Sequence, residues 1–193
     1  MTYNSTKDTK EHIETVRGFL AMIVNNLQVR AISHDASKLG EFEKSIYDDF
    51  TPKLRAMIYG SDEYKQSLKD MGAALQHHYA VNTHHPEHYK MWQCPVCESV
   101  FSEIEAPVGI TDVRLCRKCS AHGAIYESAL EPASGIYGMS LLDLIEMLAD
   151  WKAAGMRHAD GNITQSLEIN RKRFGMSDQL FKIFQNTVKE LDW

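Results

Sequence analysis

Five of the nine histidines of this 193-residue chain lie between His77 and His88, in the order His77, His78, His84, His85 and His88. Imidazole is the commonest neutral metal ligand, and rings packed this densely repel one another at mildly acidic pH unless a cation organises them. A His-Asp pair, His34-Asp35, stands about forty residues upstream. A dipeptide of that kind also arises by chance, so its meaning depends on what surrounds it. The cysteines are more specific: Cys94-Pro95-Val96-Cys97 and Cys116-Arg117-Lys118-Cys119 are two Cys-x2-Cys pairs separated by eighteen residues. That is the spacing of two zinc knuckles supplying four tetrahedral thiolates. Such a site is coordinatively closed, so it holds a small hairpin together and does no chemistry. Arg114, Arg117 and Lys118 on the second knuckle either are solvated or offer a local patch to nucleic acid or a partner.

Bulk properties narrow the setting. A formal charge of −5, from 26 acidic and 21 basic residues, disfavours broad capture of nucleic acid, and a small anionic substrate would need a local cation. With 44% hydrophobic residues, 1–193 suits one domain with a small insertion. No apolar run is long enough to span a membrane, and the N-terminus carries no apolar signal core. Paired rather than scattered cysteines agree with a cytoplasmic location.

These residues must be positioned by a mainly α-helical fold. Ile13, Val16, Leu20, Ile23 and Leu27 recur at three- and four-residue steps, which predicts a first helix from Asp8 to about Gln28, with Asp8 and Glu11 as a capping box. His12 lies one position before that stripe. His34-Asp35 is expected at the end of a short second helix, and Glu41–Phe50 and Pro52–Tyr59 as two further short ones. From a Ser61-Asp62 cap, Leu68, Met71, Leu75, His78 and Asn82 follow 3-4-3-4 spacing in one helix to about Tyr79, which puts His78, not His77, on the buried face. Pro86 makes Asn82 to Tyr89 a loop. Residues 91–128, rich in β-branched and aromatic residues, Gly and Pro, read as an inserted β-rich zinc-ribbon module. Met139 to Ala154 forms an apolar, central helix with a narrow polar strip of Asp143, Glu146 and Asp150. Asp143 is the natural capping-box partner of Ser140; Asp150, in mid-helix, faces either solvent or an inward cation. Helices over Asn162–Phe174 and Ser177–Leu191 close the chain, the second with Leu180, Ile183, Phe184 and Val188 on one side.

The order of these features resembles the HD-domain metal-dependent phosphohydrolase superfamily: an early helical His12, His34-Asp35 followed by Lys38, paired histidines on and after a later helix, then Asp150 in Ala149-Asp150-Trp151-Lys152-Ala153. It is similar, more narrowly, to a group of phage and bacterial proteins with HDxSK, HHxxxNxHHPEH and LLDLIEMLADWKAA-like segments. The resemblance implies an HD-like helical bundle in which His12, His34, Asp35 and Asp150 hold a first metal. It also implies that Asp35 bridges to a second ion taken by His78 with His84 or His85. The ions would be one or two of Mn, Fe, Co or Mg, besides the structural zinc of Cys94, Cys97, Cys116 and Cys119. Ser37 stands where many relatives have Gly, and Asn82-Thr83-His84-His85-Pro86 stands where the binuclear signalling phosphodiesterases have a DGxGYP-like loop, which speaks against cyclic dinucleotides.

The expected activity is hydrolysis of a nucleotide or related phosphoester by a metal-activated water. Asp35, Lys38 and His85 are the catalytic candidates: Lys38 would neutralise charge developing on phosphate, unless it is only a surface partner of Glu41, and His85 would donate to phosphate or protonate the leaving group. Asn82, His88 and Lys90, with Lys38, are the substrate-binding candidates. The rivals are an HD-fold di-iron oxygenase with similar ligands and a non-enzymatic zinc-ribbon binding protein. Substrate identity and oligomeric state are open.

Overall fold

The apolar stripe that begins at Ile13 continues without a break into one helix, α1 (Thr6–Ser33), in a computed structural model that describes residues 3–102, 116, 118–119, 126–127, 135–157 and 161–193. The separate short helix expected before His34 does not exist, because Val29, Arg30, Ala31 and Ile32 contain no helix breaker and prolong α1 up to His34 as its C-cap. Ser5 takes the N-cap position without a side-chain bond, so Asp8 and Glu11 form no capping box; Asp8 instead lies in the first turn, where its charge suits the helix dipole. The chain divides into two compact units, Met1–His34 and Asp35–Trp193.

The second unit opens on Asp35, whose backbone takes a left-handed conformation (φ 57°) and so turns the chain into a short 3-10 turn, Ala36–Leu39. Helix α2 (Glu41–Ala56) then runs through Pro52 as a single element where two were expected. Conversely, the helix expected from Ser61 to Tyr79 is broken into α3 (Asp62–Asp70) and α4 (Gly72–Val81). The break falls at Gly72, whose φ of 53° is one that a side chain would resist. The Ser61 cap forms as expected, its side chain accepting from the Tyr64 N–H at 3.1 Å. After α4 come a 3-10 turn, Pro86–Tyr89, and the first strand.

The described residues of the cysteine module include three short antiparallel strands, β1 (Met91–Gln93), β2 (Val100–Ser102) and β3 (Tyr126–Glu127), in the order β2-β1-β3. Trp92 pairs with Phe101 and with Glu127 across the two ladders. Arg114 and Arg117 lie outside the described residues, as does most of the stretch between β2 and β3.

Helices α5 (Leu141–Gly155), α6 (Ile163–Phe174) and α7 (Asp178–Glu190) enclose the main apolar core, formed by Met147, Leu148, Trp151, Ile163, Leu167, Phe181, Phe184 and Val188 with Ile136 and Met176. Trp151 lies parallel to Phe174 at 6.1 Å and meets Phe184 edge-on. Phe181 takes the buried place on α7 that Ile183 was expected to fill, and Ile183 is half exposed. Asn162 and Ser177 cap α6 and α7, and Gly175 (φ 60°) ends α6. Among the described residues no helix is long and apolar enough to cross a membrane.

The Ser140–Asp143 capping box is present as read from sequence, and Asp143 gains a further bond from the Tyr89 hydroxyl at 2.8 Å. Burial raises the Asp143 pKa, but the Ser140 hydroxyl and N–H, Thr83 and Tyr89 outweigh it and bring it down to about 2. A carboxyl with a folded pKa below its unfolded one stabilises the fold above the unfolded value, near 4, and loses that contribution as pH falls toward 2. Asp143→Asn should therefore cost roughly 2 kcal/mol at pH 7. In thermal melts, the gap between wild type and variant should narrow between pH 5 and pH 2; a gap independent of pH would show that the charge of Asp143 adds nothing.

Candidate metal centre

The second unit builds its histidine site from three short pieces: the turn at Asp35, the end of α4, and the loop that Pro86 terminates. Asp35, His78, His84 and His85 each offer a ligand atom, all within 4.8 Å of one another. His78 Nε2 stands 3.2 Å and His84 Nε2 3.5 Å from the same atom, Asp35 Oδ1, and the Nε2 atoms of His78 and His85 are 2.9 Å apart. His78 and His84 are buried, and His84 and His85 pack ring against ring at 4.2 Å.

What lies behind the two buried rings fixes how they point. His78 Nδ1 is 3.1 Å from Glu43 Oε2, and His84 Nδ1 is 3.1 Å from Glu146 Oε1. Asn82 Nδ2 also stands 3.0 Å from His78 Nδ1, but its two hydrogens go to the Ser37 hydroxyl and the His78 carbonyl. A carboxylate only accepts, so each Nδ1 is assigned the hydrogen and each neutral ring turns its Nε2 lone pair toward Asp35. Lone pairs then meet a carboxylate oxygen and one another. That arrangement is repulsive unless both rings are imidazolium or a cation sits among them. Donor atoms in neighbouring positions of an octahedral ion with bonds of about 2.1 Å stand about 3.0 Å apart, and those of a tetrahedral ion about 3.4 Å. The observed 2.9 to 3.5 Å spans these values, so the donor set fits a divalent metal.

Electrostatics agree. Burial alone would raise the pKa of Asp35, but contacts with His78 and His84 and the charge of Lys38 outweigh it and hold the carboxyl far below the usual carboxylate range. Burial, with His84 and His78 alongside, holds His85 well below the ordinary imidazole pKa, which keeps it in the neutral, ligating form. Lys38 Nζ lies 2.5 Å from Asp35 Oδ2 and 5.0 Å from the Tyr47 ring centre, so its partner is Asp35 and not Glu41.

Glu43 is fully buried and also meets His77 Nδ1 at 2.6 Å and the Ser37 hydroxyl at 3.1 Å. Neither Glu43 nor Glu146 was singled out from sequence. For Glu146 the signal was its place between Asp143 and Asp150 on one strip; for Glu43 there was none, since a carboxylate near a helix N-terminus reads as surface. Carboxylates behind ligating imidazoles set ring orientation and basicity. Glu43→Gln should therefore weaken divalent-metal affinity about 10- to 100-fold, as read by titration calorimetry, with the helical circular dichroism kept. Unchanged affinity would mean that Glu43 serves packing alone.

His12 and His34 stand at opposite ends of α1, separated by 22 positions and thus by roughly 30 Å, so this helix does not bring them to one ion. The sequence reading places a break between them that α1 lacks, and it is the sharing of one ion by His12 and His34 that this continuity argues against. Asp150 lines the same cavity as Asp35, His78 and His85, with carboxylate oxygens of Asp35 and Asp150 within 4.8 Å of each other. His85, expected as an acid or phosphate donor, is grouped with the ligand atoms. Asn82 is turned inward, bonding the Ser37 hydroxyl at 2.9 Å and the His78 carbonyl at 2.8 Å, and His88 Nδ1 bonds the Ala80 carbonyl at 2.8 Å. Of the expected substrate-binding residues, Lys38 lines the cavity and Asn82, His88 and Lys90 do not. The Asn82 amide and His88 Nδ1 hold the loop geometry.

That cavity measures about 610 Å³, in the range of small-molecule sites. Beyond the histidines it is walled by Tyr47, Tyr59, Tyr64 and Tyr79, with Lys38, Arg55, Arg157 and Arg173 around it. Arg173 bonds Glu87 at 2.6 Å and the Tyr79 hydroxyl at 3.3 Å, which ties α6 to α4 and to the turn after His85.

The four cysteines form a second cluster, their sulfurs all within 4.8 Å. Cys94 and Cys119 are 3.7 Å apart and Cys97 and Cys116 3.6 Å, too far for disulfides and close to the roughly 3.8 Å edge of a tetrahedral thiolate site. The Ser99 hydroxyl and N–H, chiefly, lower the Cys97 thiol to about 6, and the N–H of Cys119 leads those lowering Cys116. Both shifts favour the thiolates that a metal takes.

A mainly helical chain with a histidine–carboxylate centre and a four-cysteine cluster is what fold and sites define. Over residues 1–190 the chain matches a family described as "Family of unknown function (DUF5662)", and it belongs to that family. No curated protein and no solved structure matches it.

Proposed function

We propose that the protein is an HD-type, metal-dependent phosphohydrolase acting on a nucleotide or related phosphoester. The observation that carries this reading is the pair of buried imidazoles, each held from behind by a carboxylate and each turning Nε2 toward Asp35 Oδ1. Asp35, His78, His84 and His85 would hold the ion, one of Mn, Fe, Co or Mg, with Asp150 as the nearby carboxylate for a second. Bound there, a divalent cation polarises a phosphoryl oxygen and lowers the pKa of water. Lys38 brings a compact positive charge to that end of the cavity, where it offsets charge on the transferred phosphate. The tyrosine wall gives an aromatic or sugar-like body a surface to lie on and excludes water from the reacting end. The cysteine cluster is read as structural zinc, since its four thiolates leave no open position.

The test is metal analysis of untagged protein, with a phosphate-release screen over nucleotides in the presence of Mn, Co, Mg and Fe. The expected result is metal beyond one zinc per chain, and phosphate release that a chelator stops. One zinc and no turnover would sink the proposal. Iron-dependent absorbance with oxygen consumption and no phosphate release would replace it with an oxygenase.

A further inference from the structure

The cavity carries more positive charge than a single phosphate at the metal needs, and Arg55 lies away from the histidines, twelve positions and so roughly 18 Å along α2 from Glu43, which meets His78. Of its four cations, Lys38 is engaged with Asp35 at 2.5 Å and Arg173 with Glu87 at 2.6 Å. Arg55, near the end of α2, and Arg157, just after α5, line the same cavity, are exposed, and form no ion pair with a carboxylate among the described residues. Guanidinium groups left unpaired at the rim of a concave, aromatic-walled site are suited to a planar or tetrahedral anion, which they grip by bidentate bonds. The Tyr64 hydroxyl stands in the field of Arg157 and Arg173 and lines the same wall, so a neutral donor accompanies the charges.

We propose that the preferred ligand is a phosphoester carrying a second anionic group, with one phosphate at the Asp35–Lys38 end and the other held at the rim by Arg55 and Arg157. This rests on the phosphohydrolase reading for the first phosphate only. The rim residues act as a specificity device: a singly phosphorylated compound of the same body fills the cavity yet leaves both guanidinium groups to solvent. A second phosphate adjacent to the first, as in a 5′-diphosphate, extends from the metal end, whereas one across the sugar, as in a 3′,5′-bisphosphate, projects from another face of the body. The two probes thus separate a phosphate chain from two spaced anions.

Calorimetric titration of the metal-loaded full-length protein with adenosine 5′-monophosphate, adenosine 5′-diphosphate and adenosine 3′,5′-bisphosphate tests this. The bisphosphate should bind about tenfold or more tightly than the monophosphate, the diphosphate less tightly than the bisphosphate, and the advantage should shrink with added salt. In R55Q/R157Q the advantage should disappear, and in R55K/R157K part of it should return; if the double variant does not fold, R55Q and R157Q singly should each lower it. Equal binding of the mono- and bisphosphate by wild type, an advantage that survives the Gln substitutions, or no binding by any of the three overturns the inference. D35N separates the two proposals. If it leaves every affinity unchanged, the metal-centred reading is wrong, while the bis-to-mono ratio still reports on the arginines.

Discussion

On the proposed phosphohydrolase reading, Asp35→Asn should leave the protein folded and lower divalent-ion binding at the histidine centre, with any hydrolysis falling by about 10²- to 10³-fold or more. Two of the three candidate ligand rings face Asp35 Oδ1, and Lys38 meets Oδ2, so this carboxylate brings a negative charge directly against the Nε2 side of both imidazoles. Asn has the same shape and tolerates the left-handed backbone at this position, so the change removes charge without forcing a new turn. With the charge gone, the imidazoles and an amide face Lys38, and Asp150 is left as the nearby carboxylate to favour a dication. Metal stoichiometry by mass spectrometry and helical circular dichroism are the readouts. A variant that keeps its full metal content would remove Asp35 from the ligand set.

Cys94→Ser should have the second large effect, on structure and not on chemistry. The described strands around the cluster are two or three residues long, and among the described residues the partly buried Trp92, Cys97 and Phe101 pack against Cys94 and Cys116. So small a sheet does not stand alone in water. A structural metal in a site of this kind contributes on the order of 10 kcal/mol of apparent binding energy, which far exceeds what that packing supplies. The variant should lose one equivalent of zinc, become cleavable by trypsin within residues 91–128, and keep most of its helical signal. Unchanged zinc content, or resistance to trypsin like that of wild type, would show that the sulfurs do not hold the module.

How far the sequence carried depended on whether the deciding interaction was local. His78 on the buried face, the Ser140–Asp143 box, the Ser61 cap and the cysteine pairs all follow from spacing within a turn or two, and all are present. Long-range facts were not legible. Glu43 acts on a ring 35 positions away, and Glu146 on one 62 positions away, and a carboxylate that will be buried looks like one that will be solvated until its partner is known. The continuity of α1 was missed for the opposite reason. The stripe was followed only to Leu27, and the helix-compatible residues after it were given to a separate element. Residue type points Asn82 and His88 toward substrate, whereas the bonds of the Asn82 amide and of His88 Nδ1 to Ser37, His78 and Ala80 depend on the loop's folded path, which residue type does not disclose.

The left-handed turn at Asp35 sets the mutational alphabet of that position twice over. Backbone φ near 57° admits glycine, asparagine and aspartate at little cost and penalises nearly everything else, glutamate included. The imidazoles in front of it call for a negative charge. Only one of the twenty residues satisfies both conditions. Drift at this codon therefore has no intermediate that keeps both shape and charge, and an exchange to glutamate, conservative by charge alone, would have to rebuild the turn before it could serve the centre.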